Sequence, residues 1–402
     1  MTIPFPLDGL TVLDFSHALA GPYCTMLMAA YGADVLKVES IETGDIGRTW
    51  GPPFIGPESS FFLGLNSGKQ ALAVDLKAAE GIDLCRRLIA KADVLIENFR
   101  PGTMERLGLG YSVAASINPR LVYCSISGYG QTGPRRDDPA MDLILQASSG
   151  LISVTGTVEG DTARCGHSVA DITAGLFGLT GVLMALQSRA RTGRGQHVDV
   201  SMLDGMISAM GSNYANLFGS GRVPGPMGTA FATIVPYACF PTADREIAVA
   251  VASDKLWRSF CEAIERPDLA ADSRFATNAL RVEHREVLEP LIAEIFRTKS
   301  AAHWLAALAS RGVPCAPVSN LAEVAADPQA AARGMFPALE HPTAGQIRVT
   351  GAPLKFSESR GEIRSPAPQL GEHTRLALGK RLGIADAEVE RLIAEGIVAG
   401  TS

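Results

Sequence analysis

The sequence predicts an α/β fold, with a large Rossmann-like parallel-sheet domain followed by a smaller α/β domain. Three observations lead there. Short apolar runs of strand length alternate with helix-periodic stretches between residues 10 and 201, the pattern of successive βαβ units. Several of these runs end in Gly, Pro and Asn punctuation, as loops at strand ends do. Near 211–230 the composition shifts to Gly, Asn, Ser and Pro, and a second, shorter strand-and-helix pattern follows. The domain expectation is therefore 1–210 for the large domain, 211–224 for a linker and 225–330 for the small domain. Residues 331–402 form a tail that completes the large one.

The first strand is Leu10–Phe15, introduced by the turn signal Asp8-Gly9. A helix is expected from the Ser16–Pro22 loop to Ala30, then a second strand over 32–39. Further strands fall at 70–76, 93–97 and 121–127, with an amphipathic helix at 78–91. An apolar segment, Leu176–Leu186, predicts a helix running to Arg189, and residues 192–201 read as a turn and a last strand before a helix at 203–210. In the second domain, 247–251 is a strand, 255–264, 282–296 and 301–310 are helices, and 313–318 is extended. The tail after 331 is rich in Pro and Gly, has little core of its own until a helix at 386–395, and must lie on another domain or a second subunit.

Composition narrows the function. With 402 residues, 47% hydrophobic and 19% charged, the chain is a well-packed globular protein. A net charge of -6 favours neither nucleic acid nor an anionic membrane as partner. Seven cysteines at 24, 85, 124, 165, 239, 261 and 315 show no C-x-x-C spacing and an odd count, which predicts reduced core thiols in a cytoplasmic protein without a metal site. No signal peptide is expected, and the run 176–186 is shorter than a membrane span. Between the first strand and its helix there is no G-x-G-x-x-G, which disfavours a nicotinamide or flavin cofactor.

The chemistry centres on Asp171, in Gly166-His-Ser-Val-Ala-Asp-Ile-Thr-Ala-Gly175, the one acidic residue between Asp161 and Asp199. Position leaves two readings open. An Asp at the mouth of a helix charges its first turn. Surrounded by Gly and Ala, it is also accessible as a nucleophilic carboxylate. His17 lies where open α/β sheets place ligands. Lys37, Arg100 and Arg106 fall near strand ends, as phosphate contacts or as solvated surface. Arg48 and Trp50, in a Gly- and Pro-rich loop, either clamp and cover an anion or simply pack.

These residues carry a resemblance. Ala18-Leu-Ala-Gly-Pro22, Gly32-Ala-Asp-Val-Leu-Lys-Val-Glu39, Gly44-Asp-Ile-Gly-Arg48, Glu97-Asn-Phe-Arg-Pro-Gly102, Ser127-Gly-Tyr-Gly-Gln-Thr-Gly-Pro134 and Thr192-Gly-Arg-Gly-Gln-His-Val-Asp199 occur in that order around Asp171. Together they resemble the class III CoA-transferases (CaiB/BaiF type). Arg48–Phe54, Gly228-Thr-Ala, Ile234-Val-Pro-Tyr237 and Thr277–Val282 are most similar to the branch that moves CoA from succinyl-CoA to glutarate. Phe231 departs from that branch's histidine, and Met141 from the tyrosine of formyl- and oxalyl-type members.

The resemblance implies an acyl-CoA and a free carboxylic acid as substrates, no tightly bound cofactor, and an interlocked homodimer. It implies Asp171 as nucleophile, with His17, Ala18, Lys37, Leu72, Asn98, Phe99 and Arg106 against CoA. Arg48, Trp50, Gly130, Met141, Gly228 and Phe231 would shape the substrate pocket, Arg48 holding a distal carboxylate. Backbone N–H groups near Gly130 or in 228–233 would receive the oxyanion. The family also holds 2-methylacyl-CoA racemases, which carry Gly-His-Asp after the Gly-Tyr-Gly loop. Here Pro139-Ala-Met-Asp142 has no histidine for that proton transfer. A non-catalytic CoA-ester-binding protein is the remaining alternative.

Overall fold

The computed structural model describes residues 3–400. The chain forms two compact units. The large one runs to Leu151, resumes over Arg164–Arg222 and closes with the chain from Pro328; the small one holds Ile152–Ala163 and Val223–Asp327.

In the large unit, β1 (Thr11–Asp14), β2 (Asp34–Ser40), β3 (Gln70–Val74), β4 (Val94–Glu97), β5 (Val122–Ser127) and β6 (His197–Ser201) make a parallel sheet in the order β3-β2-β1-β4-β5-β6. Strand order reverses between β1 and β4, and open α/β sheets bind ligands at that crevice. Both faces are buried, so the strands read as continuous apolar runs. Val12, Val122, Cys124 and Ile126 face one core, and Leu13, Leu121 and Tyr123 the other.

Helix α1 (Ala20–Ala30) follows β1, and α2 (Ala79–Ile89) follows β3. Later come α3 (Asp142–Ser148), α4 (Val169–Thr192), α5 (Met202–Ala209) and α6 (Gly211–Ser220). Two of these correct the sequence reading. The expected linker at 211–224 is helical through Ser220, because Tyr214 and Phe218 stack one turn apart (6.2 Å) and Tyr214 Oη donates to Ser149 O at 2.8 Å. The long apolar helix starts at Val169 rather than Leu176, which puts Asp171 inside its first turn.

At 24 residues α4 is long and apolar enough to cross a membrane by length and composition. It is nevertheless a core helix of this unit along one face: Gly175 and Gly178 bring it against α1 and β5. The idealised Cβ of Gly175 would sit 2.7 Å from Ala20 O, and that of Gly178 3.0 Å from Ile126 Cδ1. Its other face leaves Leu176, Phe177, Leu183 and Met184 exposed.

The small unit is built on an antiparallel sheet of β7 (Tyr237–Pro241), β8 (Glu246–Ala250) and β9 (Cys315–Pro317), with β8 central. Helices α7 (Asp254–Ala263), α8 (Arg285–Arg297) and α9 (Ala301–Ser310) cover it around Trp257, Phe260, Phe296 and Trp304.

The tail packs on its own large unit. β10 (Ala338–His341) and β11 (Gly345–Arg348) form a hairpin, and β12 (Val398–Ala399) pairs antiparallel with the outer edge of β3. Ile347, Val349 and Ile363 enter the first core; Val389 and Leu392 of α10 (Asp386–Ala394), with Val398, enter the second. The tail therefore finds its partner surface within one chain.

Candidate active site

The loop after β1 is held by a buried ionic network. Asp14 and Lys69 are fully buried with Oδ2 and Nζ 3.0 Å apart, and Thr25 Oγ1 donates to Asp14 Oδ2 at 2.6 Å. Burial pushes the Asp14 carboxyl up, but the ammonium groups of Lys69 and Lys37 outweigh it and hold the group ionised. Lys37, also fully buried, donates to Ser16 O at 2.7 Å and lies 2.8 Å from Asp45 Oδ2, an ion pair by distance that is not aligned as a hydrogen bond. Asp45 Oδ1 accepts from Ala18 N–H and Gly47 N–H at 2.9 and 2.8 Å. Asn98, past the end of β4, closes the loop by accepting from His17 N–H and donating to His17 O. Ala18 consequently sits at φ 63°, a left-handed conformation that a non-glycine residue keeps only when its surroundings impose it.

At this switch point opens a cavity of about 360 Å³, within the range of small-molecule sites. Its walls are Ala18–Ala20 after β1, Asn98–Pro101 after β4, Ser127 and Gly128 at the end of β5, Trp50 tilted against Phe61, and Met141–Asp142 at the start of α3. Asp171 lines it from the first turn of α4. Burial raises the Asp171 carboxyl to about 7, and the neighbouring Asp142 adds to the rise. This carboxyl is therefore poised near neutrality. Glu97, at the end of β4, is likewise raised to about 7 by burial, and accepts from Phe99 N–H at 2.9 Å.

The structure brings Asp171, Ala18, Asn98, Phe99, Trp50 and Met141 to one cavity. His17 stands beside it, its ring 5.2 Å from that of Phe99, and burial with the Lys37 charge lowers its pKa.

The other CoA and pocket candidates lie outside the cavity wall. Lys37 is buried inside the network and presents no charge to a ligand. Leu72 is wholly buried in the middle of β3, a core residue. Arg48 turns its fork onto Glu39, with Nε and Nη2 each 2.8 Å from a carboxylate oxygen, donates to Pro368 O and stacks on Phe62, so it is not available to a substrate. Arg106 is exposed and bonds Thr103; the arginines that line the cavity are Arg100 and Arg136. Gly130 is replaced in the wall by Ser127 and Gly128.

Gly228 and Phe231 belong to the small unit. Gly228 N–H donates to Gly156 O, and Phe231 N–H to Tyr237 O. Gln131 N–H is taken by Asp199. These donors, proposed for an oxyanion, are engaged within the protein. Sequence reading passed over Asp142 and Arg136; the i, i+4 pair Asp142–Gln146 was the available signal for the first.

A doubly wound α/β protein with a carboxylate raised toward neutrality in its switch-point crevice carries a candidate ligand-binding or catalytic site there. Comparison with known proteins makes the assignment specific. Residues 7–374 match the CoA-transferase family III. Human succinyl-CoA:glutarate CoA-transferase is 36% identical over 98% of this chain and 90% of its own length. Succinyl-CoA:mesaconate CoA-transferase of Haloarcula hispanica is 39% identical over 91% and 94%. The crystal structure of a CAIB/BAIF family protein from Brucella suis superposes with a TM-score of 0.84 at 37% identity, covering 94% of this chain and all of that one. The chain belongs to CoA-transferase family III. It is an enzyme, a CoA-transferase acting on an acyl-CoA and a carboxylic acid, and the non-catalytic alternative falls away.

Proposed function

We propose that the protein moves CoA from succinyl-CoA to a short dicarboxylate such as glutarate through covalent intermediates on Asp171. The observation that carries this reading is the Asp171 carboxylate, part-buried and lining the cavity at the switch point beside the Ala18 and Asn98–Phe99 walls. Its oxygen attacks the thioester carbonyl, the C–S bond breaks, and an aspartyl-acyl anhydride and CoA thiolate result. The thiolate attacks the aspartyl carbonyl carbon, expels the donor carboxylate and leaves an aspartyl-CoA thioester. The acceptor carboxylate then attacks that thioester, and the returning thiolate takes the acceptor acyl group and frees Asp171. No net proton moves, which is why no Ser-His-Asp arrangement is required.

The apolar stem of CoA fits against Phe99, and Arg100 and Arg136 are the cavity's cations for the phosphates and the distal carboxylate. Relatives named for glutarate (37% identical, Agrobacterium fabrum) and for oxalate (37% identical, Acetobacter aceti) stand equally near, so identity alone does not choose the acid. The enzyme would work as an interlocked homodimer, with the exposed apolar face of α4 as one contact. It would work in a reducing compartment such as the cytoplasm, in keeping with seven unpaired thiols.

The test is incubation with succinyl-CoA and a panel of glutarate, itaconate, mesaconate, malate, oxalate, formate and carnitine, followed by mass analysis of CoA esters. A new ester formed by the native enzyme and absent with Asp171→Ala supports the reading and names the acceptor. Transfer that survives Asp171→Ala refutes it. The racemase alternative is checked with a single-enantiomer 2-methylacyl-CoA.

A further inference from the structure

We propose that Gln146 is a positioning residue for the nucleophile, acting through Asp142 and residues 165–170 to fix the first turn of α4; this rests on the reading of Asp171 above. Helix α4 opens without a cap of its own, since the Ser168 side chain makes no capping bond. The first N–H groups of a helix need outside acceptors. Ala170 N–H, the residue before Asp171, donates to Asp142 Oδ1 at 2.9 Å, so the acceptor comes from another helix. Asp142 is held in turn by Gln146, one turn on in α3, whose Nε2 donates to Asp142 Oδ2 at 2.7 Å.

Gln146 is fully buried and its amide is fully used. Oε1 accepts from Cys165 N–H at 2.8 Å, and the second Nε2 hydrogen is directed at His167 O, 3.4 Å away. One side chain thereby ties Cys165 and His167 directly, and Ala170 through Asp142, to α3. The site demands an acceptor for the Cys165 N–H and donors for a carboxylate and a carbonyl. A primary amide supplies both on one rigid group; a carboxylate lacks the donors and an ammonium lacks the acceptor. Gln146 is absent from the cavity wall, so it touches no substrate and acts by placement.

Placement governs the rate because attack on a thioester requires the oxygen within a fraction of an ångström of its line. Gln146→Met keeps length and removes every bond. It is expected to bind CoA itself with unchanged Kd by calorimetry while kcat for transfer falls about 10- to 100-fold, the loss associated with a displacement near 1 Å. A second pair of variants separates geometry from folding. Gln146→Glu alone sets two carboxylates against each other and should lose most. Combining it with Asp142→Asn reverses donor and acceptor along the same line at unchanged net charge, and should recover kcat by at least about tenfold over Gln146→Glu.

Gln146→Met with kcat within about twofold of native, or a reversed pair no better than Gln146→Glu, overturns the proposal. If Gln146→Met does not fold, the pair comparison decides. Asp171→Asn run in parallel separates the two readings. If it still transfers CoA, the nucleophile assignment and this proposal fail together. If it is inactive while Gln146→Met is native-like, only the positioning role fails.

Discussion

At the residue scale, Asp171 carries two measurable consequences of one cause. Burial and Asp142 raise its carboxyl from 3.8 to about 7. Nucleophilic attack needs the ionised form, so kcat/KM of the free enzyme is expected to rise with pH through 7 and, at pH 6, to stand near a tenth of its plateau. Glu97 titrates in the same range, so the profile should be repeated with Glu97→Gln, which is expected to retain the limb. The stability effect has the opposite direction. A carboxyl whose folded pKa lies above its unfolded value favours the fold only while protonated; its contribution declines as pH rises from about 4 to 7. Asp171→Asn should therefore be more stable than the native protein at pH 8, on the order of 2 kcal/mol after screening of a partly exposed group, with the gap closing toward pH 4. Denaturant unfolding at the two pH values measures it. Arg136 gives the specificity counterpart. Arg136→Ala should raise KM for a dicarboxylate acceptor about 10- to 100-fold, the value of one charge-assisted contact, and change KM for a monocarboxylate little.

At the scale of elements, the site depends on how closely α4 approaches α1. Gly175 is the contact, and a methyl there meets Ala20 O at 2.7 Å and Tyr23 Cδ1 at 3.1 Å. Gly175→Ala is expected to cost about 1–3 kcal/mol and to weaken acyl-CoA binding, because Ala20 both receives the clash and lines the cavity. Gly166→Ala, with nothing within 4 Å of the new methyl, is the control and should be near neutral in thermal unfolding. Sequence periodicity located α4 from its apolar middle and missed its first turn, whose stabilising acceptor is Asp142 of another helix. It also read α6 as a linker, since Gly and Ser obscure a helix held by the Tyr214 anchor.

For the whole molecule, α4 presents an apolar face on the outside of the chain. Leu176, Phe177, Leu183 and Met184 lie on one stripe of the helix, the spacing of a packed face rather than scattered surface residues. If that face is a homodimer contact, Met184→Lys should shift the protein from dimer to monomer in sedimentation velocity while leaving its circular dichroism unchanged. A monomeric native protein would remove the dimer from the proposed function. The tail no longer argues for a second subunit, because β12 and α10 close the core of their own unit.

The sequence by itself determined the parallel strands and the candidacy of Asp171, because each is written in local pattern: continuous apolar strands, periodic helices, and a run of motifs in order. Ala18, Asn98 and Phe99, read from sequence as CoA contacts, and Trp50 and Met141, read as pocket residues, line the same cavity as Asp171. Tertiary structure alone decided which charges are free. Lys37 and Arg48 look like ligand contacts in one dimension, but folding pairs them with Asp45 and Glu39, residues whose proximity no spacing reveals. It alone decided the state of Asp171 as well, since the raised pKa comes from burial and from Asp142 on another helix, and burial is a property of the packed chain.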